Sequence, residues 1–254
     1  MAQHSHPPRR VAQRPKQNTF FGGAAVLAAG ILVVKLIGLF YKIPLLNIIG
    51  EQGTADFGNA YNIYAVLLTI STAGLPVAVS KLVSEANALG RQNQVRRTFR
   101  LAMALFLTLG VLSFLVMFFC ADQLAGLMHD SMAAPGIKAL APAVICVGCL
   151  SAFRGYAQGH MNMMPTAISQ IIEALCKLFL SLGLAMVIMS LPLWPEDIRN
   201  RLAASGALIG VSFGSVLSVI YLAFNHFRTR RGSAARAADQ PDRSRVVLAR
   251  LLKL

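Results

Sequence analysis

Residues 73–90, AGLPVAVSKLVSEANALG, and residues 151–177, SAFRGYAQGHMNMMPTAISQIIEALCK, decide the reading of this chain. In each, a long apolar segment meets proline, glycine and a few charges near its end, where a plain membrane anchor would stay uniformly apolar. Bent, sparsely charged membrane helices line polar paths, so the pattern points to a transporter.

The rest of the chain agrees. Of 254 residues, 56% are hydrophobic and only 13% charged, with a mean hydropathy of +0.59. That is far more apolar than a soluble domain and reads as an integral membrane protein. Residues 1–19 are polar, carry Arg9, Arg10, Arg14 and Lys16, and read as a disordered basic cytoplasmic tail. A signal peptide also begins with a basic region before an apolar one. Here the apolar segment 20–49 is longer than a signal core and holds Lys35 and Lys42, which favours a retained first span.

Hydropathy predicts an all-α polytopic protein of six spans, over residues 20–49, 57–83, 101–121, 137–157, 166–191 and 202–227. The first would be about 45 Å long as a helix, against about 30 Å of hydrocarbon, so it must tilt or bend. Pro44, Pro76 and Pro142 are the expected bends, and Gly38 a place for close helix contact. Trp194 lies in the loop before the last span, where an interfacial anchor is expected. Residues 229–245 read as a basic cytoplasmic linker, and 246–254, VVLARLLKL, as the start of a truncated seventh helix.

The net charge of +14 is then mainly a topology signal. With alternate loops in the cytoplasm, that side holds 17 of the 24 basic residues, whereas the opposite loops hold only Lys138, Arg199 and Arg201. Both termini are accordingly expected in the cytoplasm of a multi-pass protein of the cell membrane. No nucleic-acid partner is expected.

The charges at membrane depth are candidate functional residues, because each costs about 2.5 to 3.5 kcal/mol on insertion scales unless paired or facing a polar interior. Lys35 and Lys42 lie seven residues apart on one face of the first span. Either they snorkel to the interfaces or they line a cavity suited to an anion such as a diphosphate; the depth of Lys35 favours the cavity. Arg154 sits near the cytoplasmic rim and is a further candidate to bind the diphosphate of a substrate in the cavity. Glu173 and Lys177 are spaced to pair within one helix, as a structural ion pair or a coupling site.

Other chemistry is poorly supplied. Cys120, Cys146, Cys149 and Cys176 lie in or at the ends of apolar segments and read as small hydrophobes, and the Cys146 and Cys149 pair has no second pair or histidine cluster for a metal. His4, His6, His129, His160 and His226 are scattered through tail, loops and helix ends and read as solvated. No catalytic signature is present, so no enzyme, cofactor or metal site is expected.

The two opening stretches, with KLIGLFYKIPLLNIIGEQG at residues 35–53, resemble the stage V sporulation protein B and polysaccharide biosynthesis branch of the multidrug/oligosaccharidyl-lipid/polysaccharide flippase superfamily. The chain is also similar, more distantly, to the lipid II flippase. The resemblance runs from about residue 20 to 228. It implies a fold of two six-helix lobes around a central cavity, in which a lipid-linked saccharide precursor crosses the bilayer by alternating access. By the same resemblance Lys35 stands where the lipid II flippase branch has a cavity arginine. Tyr41 or Lys42 falls near its second basic position, and Asp56 near an acidic residue opening the second span. Lysine in place of arginine and the one-residue offset are departures from that pattern. Such proteins carry twelve or more spans, so the chain resembles an N-terminal lobe whose C-terminal lobe or second half is missing. A cation-coupled drug antiporter and a non-transporting fragment or scaffold are the alternative readings.

Overall fold

The computed structural model describes residues 17–72, 74–231, 240, 242 and 244–253. Most of the tail and much of the linker expected from the sequence therefore lie outside the described residues. Every regular element among the described residues is helical.

The first element, α1, runs Gln17–Thr72 and is broken at Gly50, whose φ of 65° and ψ of −172° are not helical. A side chain disfavours that left-handed φ, and a Cβ there would also meet Asn200 Nδ2 at 3.1 Å. The break divides α1 into arm α1a (17–49) and arm α1b (51–72). Pro44, the expected bend, remains inside the helical part of α1a, so the chain turns six residues later. Residues 51–56, which fall between the first two predicted spans, are already the first turns of α1b.

The second break falls where the opening motif places it. Gly74 has a φ of 70° and starts α2, Leu75–Ala88, with Pro76 in the first turn, where its missing N–H costs nothing. Then follow α3, Gln92–Phe119, the short α4, Ala121–Leu127, and α5, Ala134–Gly159, which keeps Pro142 in its interior. After a tight turn come α6, Met164–Cys176, a π-helical segment, Lys177–Ser181, and α7, Leu182–Ser190. The long α8 is Glu196–Arg231 and α9 is Ser244–Lys253.

Five helical runs among the described residues are long and apolar enough to cross a membrane, the first being the 67 residues Gly22–Ala88 that include the Gly50 break. The chain is thus an all-α, polytopic membrane protein. At about 1.5 Å per residue, 67 residues far exceed one bilayer.

Helices α5 and α8 form the spine. Near the end that carries Gly50, Ala60 and Tyr64 of α1b pack with Ile137 and Leu140 of α5 and Leu208 of α8. Tyr41, Leu45 and Ile49 of α1a pack on Ala203, Ala204 and Ala207 of α8 and Ala185 of α7. At the other end Val79 and Val83 of α2 pack with Val95 and Phe106 of α3. Val247 and Leu251 of α9 enter this last cluster, so the segment read as the start of a further span is a helix whose apolar side is covered by α2 and α3.

Gly206, Gly210 and Gly214 recur every fourth residue along α8 and face α6, the π segment and α7. Glycine lets the backbones meet there: a Cβ on Gly210 would lie 2.5 Å from the backbone nitrogen of Ser181.

Candidate functional site

The residues singled out by charge fall in four places. Lys35 and Lys42 are both exposed on α1a, among exposed Leu36, Leu39, Phe40 and Ile43. Neither ion-pairs with a described residue. Lys35 sits near the middle of the arm, far from either end.

Tyr41 does not join them. Its ring is buried against α7 and α8, and the Lys177 ammonium lies 5.1 Å from its centroid. The same ammonium lies 4.8 Å from the Tyr61 ring of α1b. Lys177 therefore bridges the two arms of α1 by cation–π contacts, which are strengthened where water is scarce. It stands at the first residue of the π segment, the kind of irregularity that recurs at functional sites.

The expected pairing of Glu173 with Lys177 does not form. Glu173 Oε2 instead accepts a 2.9 Å hydrogen bond from Arg154 Nη2, making an ion pair between α6 and α5. The physical reason is the tight turn at 160–163, which folds α6 back beside the end of α5. Residues 154 and 169 are equidistant from that turn, and Arg154 Nε donates to Ser169 Oγ at 3.1 Å. Glu173 lies one helical turn beyond Ser169, within reach of the same guanidinium, and Ser215 Oγ of α8 donates to its other oxygen at 3.4 Å. Ser218 Oγ donates to the carbonyl of Ser169 at 2.8 Å. Arg154, expected as a substrate cation, is thereby committed to a neutral network joining three helices.

Asp56 is likewise committed. It is buried near the start of α1b and accepts from Arg201 Nη1 of α8 at 3.1 Å. The same nitrogen lies 3.5 Å from Asp130, which also accepts from Asn59 at 3.0 Å. Partial burial opposes ionisation of Asp130. Hydrogen bonding with Asp56 and Asn59 and the Arg201 charge outweigh it and hold this carboxyl below the usual range. The cluster clamps α1b, the loop before α5 and α8 at the end that carries Gly50.

Tyr61, Ser169, Ser215 and Arg201 are the participants that charge at membrane depth did not single out. The equal spacing of Arg154 and Ser169 from the turn at 160–163 was the available signal for their contact. His226, read as solvated, is buried, with Phe99 stacked on it at 4.6 Å and Tyr156 edge-on at 4.7 Å. Trp194 is exposed in the turn before α8.

What this arrangement offers chemically is a lobe in which Arg154 and Glu173, and Arg201 and Asp56, are paired, and whose α1a surface carries two ammonium groups with no acidic partner among the described residues. Residues 20–239 match the family model described as polysaccharide biosynthesis protein. Over 221 residues the chain is 32% identical to the lipid II flippase MurJ of Bacillus subtilis (strain 168), covering 83% of this chain and 40% of that protein. Over 210 residues it is 32% identical to stage V sporulation protein B of the same organism, covering 81% of this chain and 39% of the relative. The uncharacterized membrane protein YabM of that organism is 31% identical over 217 residues, covering 85% and 39%. The chain thus spans about two fifths of the length of the curated relatives it matches. No solved structure matches it. With most of its helical length inside the family model, and three relatives aligned along more than four fifths of it, the chain belongs to the polysaccharide biosynthesis protein family, in its stage V sporulation protein B and lipid II flippase branch.

Proposed function

We propose that the chain forms the six-crossing N-terminal lobe of a flippase that moves a lipid-linked saccharide precursor of peptidoglycan or surface polysaccharide across the cell membrane. The six crossings follow from dividing the 67-residue run at Gly50, and both ends of the lobe then lie in the cytoplasm with the basic loops. Relatives named as a lipid II flippase and a sporulation protein B support the class of cargo.

One observation carries the reading. Lys35 and Lys42 stand on an uncovered face of α1a with no acidic partner among the described residues. A second lobe, in the same polypeptide or another, closes this face into a cavity where the ammonium groups meet the diphosphate of the cargo. Lysine serves phosphate as a compact point charge. The lipid tail stays in the bilayer and the reading contains no enzymatic step or cofactor. Tyr41, Asp56 and Arg154 support the cavity wall from behind, because each is already engaged within the lobe. Glu173, the acid that a cation-coupled antiporter would use, is held by Arg154, which weighs against that alternative.

The test is transport of a fluorescent lipid-linked disaccharide diphosphate in proteoliposomes holding both lobes. Lys35→Ala is expected to abolish transport at normal membrane abundance, and Lys35→Arg to retain it. Unchanged transport by the alanine variant defeats the proposal.

A further inference from the structure

We infer that Lys177 is a positioning residue for the cargo cations: its ammonium ties the two arms of α1 together and so fixes the direction in which Lys35 and Lys42 point. The inference rests on the reading above, in which those two lysines meet the diphosphate.

The tie lies at depth. Lys177 stands thirteen residues from either end of the membrane-crossing run Met164–Ser190. It is half-buried and ion-pairs with no described residue. Glu173, four residues earlier, accepts instead from Arg154 and Ser215. What the ammonium meets is the Tyr61 ring of α1b at 4.8 Å and the Tyr41 ring of α1a at 5.1 Å. The two rings belong to different arms, and the cation that joins them comes from the π segment. The Tyr61 ring is itself held, stacked on Phe57 at 5.9 Å and tilted against Tyr64 at 5.5 Å.

The arm is thinly supported where Lys35 sits. Between Gly30 and Tyr41 no residue of α1a is buried, and only Val34 and Ile37 are half-buried. Gly30 comes close to α6, where a Cβ would lie 3.0 Å from that of Ala167, but it offers no side chain to resist rotation. Tyr41 is therefore the first large buried side chain on the way from Lys35 to Gly50. At about 100° per residue, Lys35 and Lys42 point within about 20° of each other and about 100 to 120° from Tyr41. A rotation of the arm that displaces Tyr41 turns both ammonium groups by the same angle.

Packing alone does not account for a lysine here. Methionine would fill a similar space between the rings and avoid the cost of a charge inside the membrane. It would lack the attraction to two ring faces at once, which sets direction as well as contact.

The experiment uses proteoliposomes that hold both lobes. In a variant without the native cysteines, nitroxide labels at Leu36→Cys on α1a and Val66→Cys on α1b report the separation of the arms by double electron–electron resonance. Lys177→Met is expected to broaden or shift that distance and to leave resistance to sodium dodecyl sulfate unchanged or higher. It is expected to slow transport of the fluorescent lipid-linked disaccharide diphosphate by about tenfold or more, since small misplacements of binding groups have effects of that size. Lys177→Arg, which keeps the cation–π contacts, restores both distance and transport. Tyr61→Leu behaves as Lys177→Met does, whereas Tyr61→Phe, which keeps the ring, stays closer to the unsubstituted protein. An arm distance that Lys177→Met leaves unchanged overturns the inference. So does a Lys177→Met protein that unfolds more readily, because the lysine is then a packing residue. Transport that depends on Lys35 yet ignores Lys177→Met overturns this inference alone; transport that also survives Lys35→Ala defeats the cargo reading beneath it.

Discussion

Replacing Gly210 by alanine tests the helix crossing on which the lobe depends. An alanine Cβ there would lie 2.5 Å from the nitrogen and Oγ of Ser181 and 2.6 Å from its Cα. Comfortable carbon contacts are about 3.5 to 4.0 Å, so α8 and the π segment must separate by about 1 Å. The obstacle is backbone, which cannot rotate aside as a side chain can. Overpacking of this kind costs about 1 to 3 kcal/mol, while alanine in place of helical glycine returns up to about 1 kcal/mol, leaving a net loss of about 1 to 2 kcal/mol. Gly206→Ala meets only the flexible tip of Ile188, and Gly214→Ala meets the Glu173 carbonyl at 3.1 Å, so both are expected to lose less. Gly183→Ala meets nothing within 4 Å and is expected to be neutral or slightly stabilising. Unfolding by sodium dodecyl sulfate in mixed micelles, followed by circular dichroism, ranks the four. A Gly210→Ala lobe as stable as Gly183→Ala refutes the crossing.

Removing Arg154 as Arg154→Met leaves Glu173 with little more than serine for a partner and is expected to cost about 2 to 4 kcal/mol, somewhat below a fully buried pair because both side chains keep some exposure. Arg154→Met with Glu173→Leu recovers most of that loss, and simple additivity in the same unfolding assay contradicts the pairing. In a variant lacking the native cysteines, Leu193→Cys is expected to react with a membrane-impermeant maleimide on intact cells and Arg91→Cys only after permeabilisation. The reverse pattern contradicts the orientation.

The sequence resolved the membrane-crossing content and the break at Gly74 and Pro76 because both rest on local chemistry: apolar length, and a glycine–proline start. It misplaced helix ends. Residues 84–100 fall between two predicted spans, yet helix continues to Ala88 and resumes at Gln92, with Gly90 at a φ of 70° between them. Hydropathy marks where a helix leaves lipid, and charged residues extend a helix into water without penalty. Pairing was less legible still. The four-residue spacing of Glu173 and Lys177 is a local signal, whereas Arg154 reaches Glu173 through a turn and a neighbouring helix. His226 shows the same limit, because its burial depends on Phe99 and Tyr156 from two other helices. By contrast, the spacing of Gly206, Gly210 and Gly214 is visible in the sequence, and a reading centred on charge passes over it.

The fate of each charge within the lobe bears on what covers α1a. Arg154 has Glu173, Arg201 has Asp56 and Asp130, Lys138 has Asp122, and Lys177 has two tyrosine rings. Against that background Lys35, with Lys42, is the exception: exposed, and without an acidic partner among the described residues. If lipid covered its face, the ammonium would cost about 2.5 to 3.5 kcal/mol, which a neutral residue would avoid at no loss to the packing behind it. If water and an anionic head group cover it, the cost vanishes and the charge supplies attraction. Substituting Lys35 with methionine separates the two cases. A lipid-facing site makes the lobe more stable on insertion, whereas a cavity site leaves insertion unchanged and removes transport. Insertion efficiency measured beside transport in one set of membranes therefore decides whether α1a is wall or exterior.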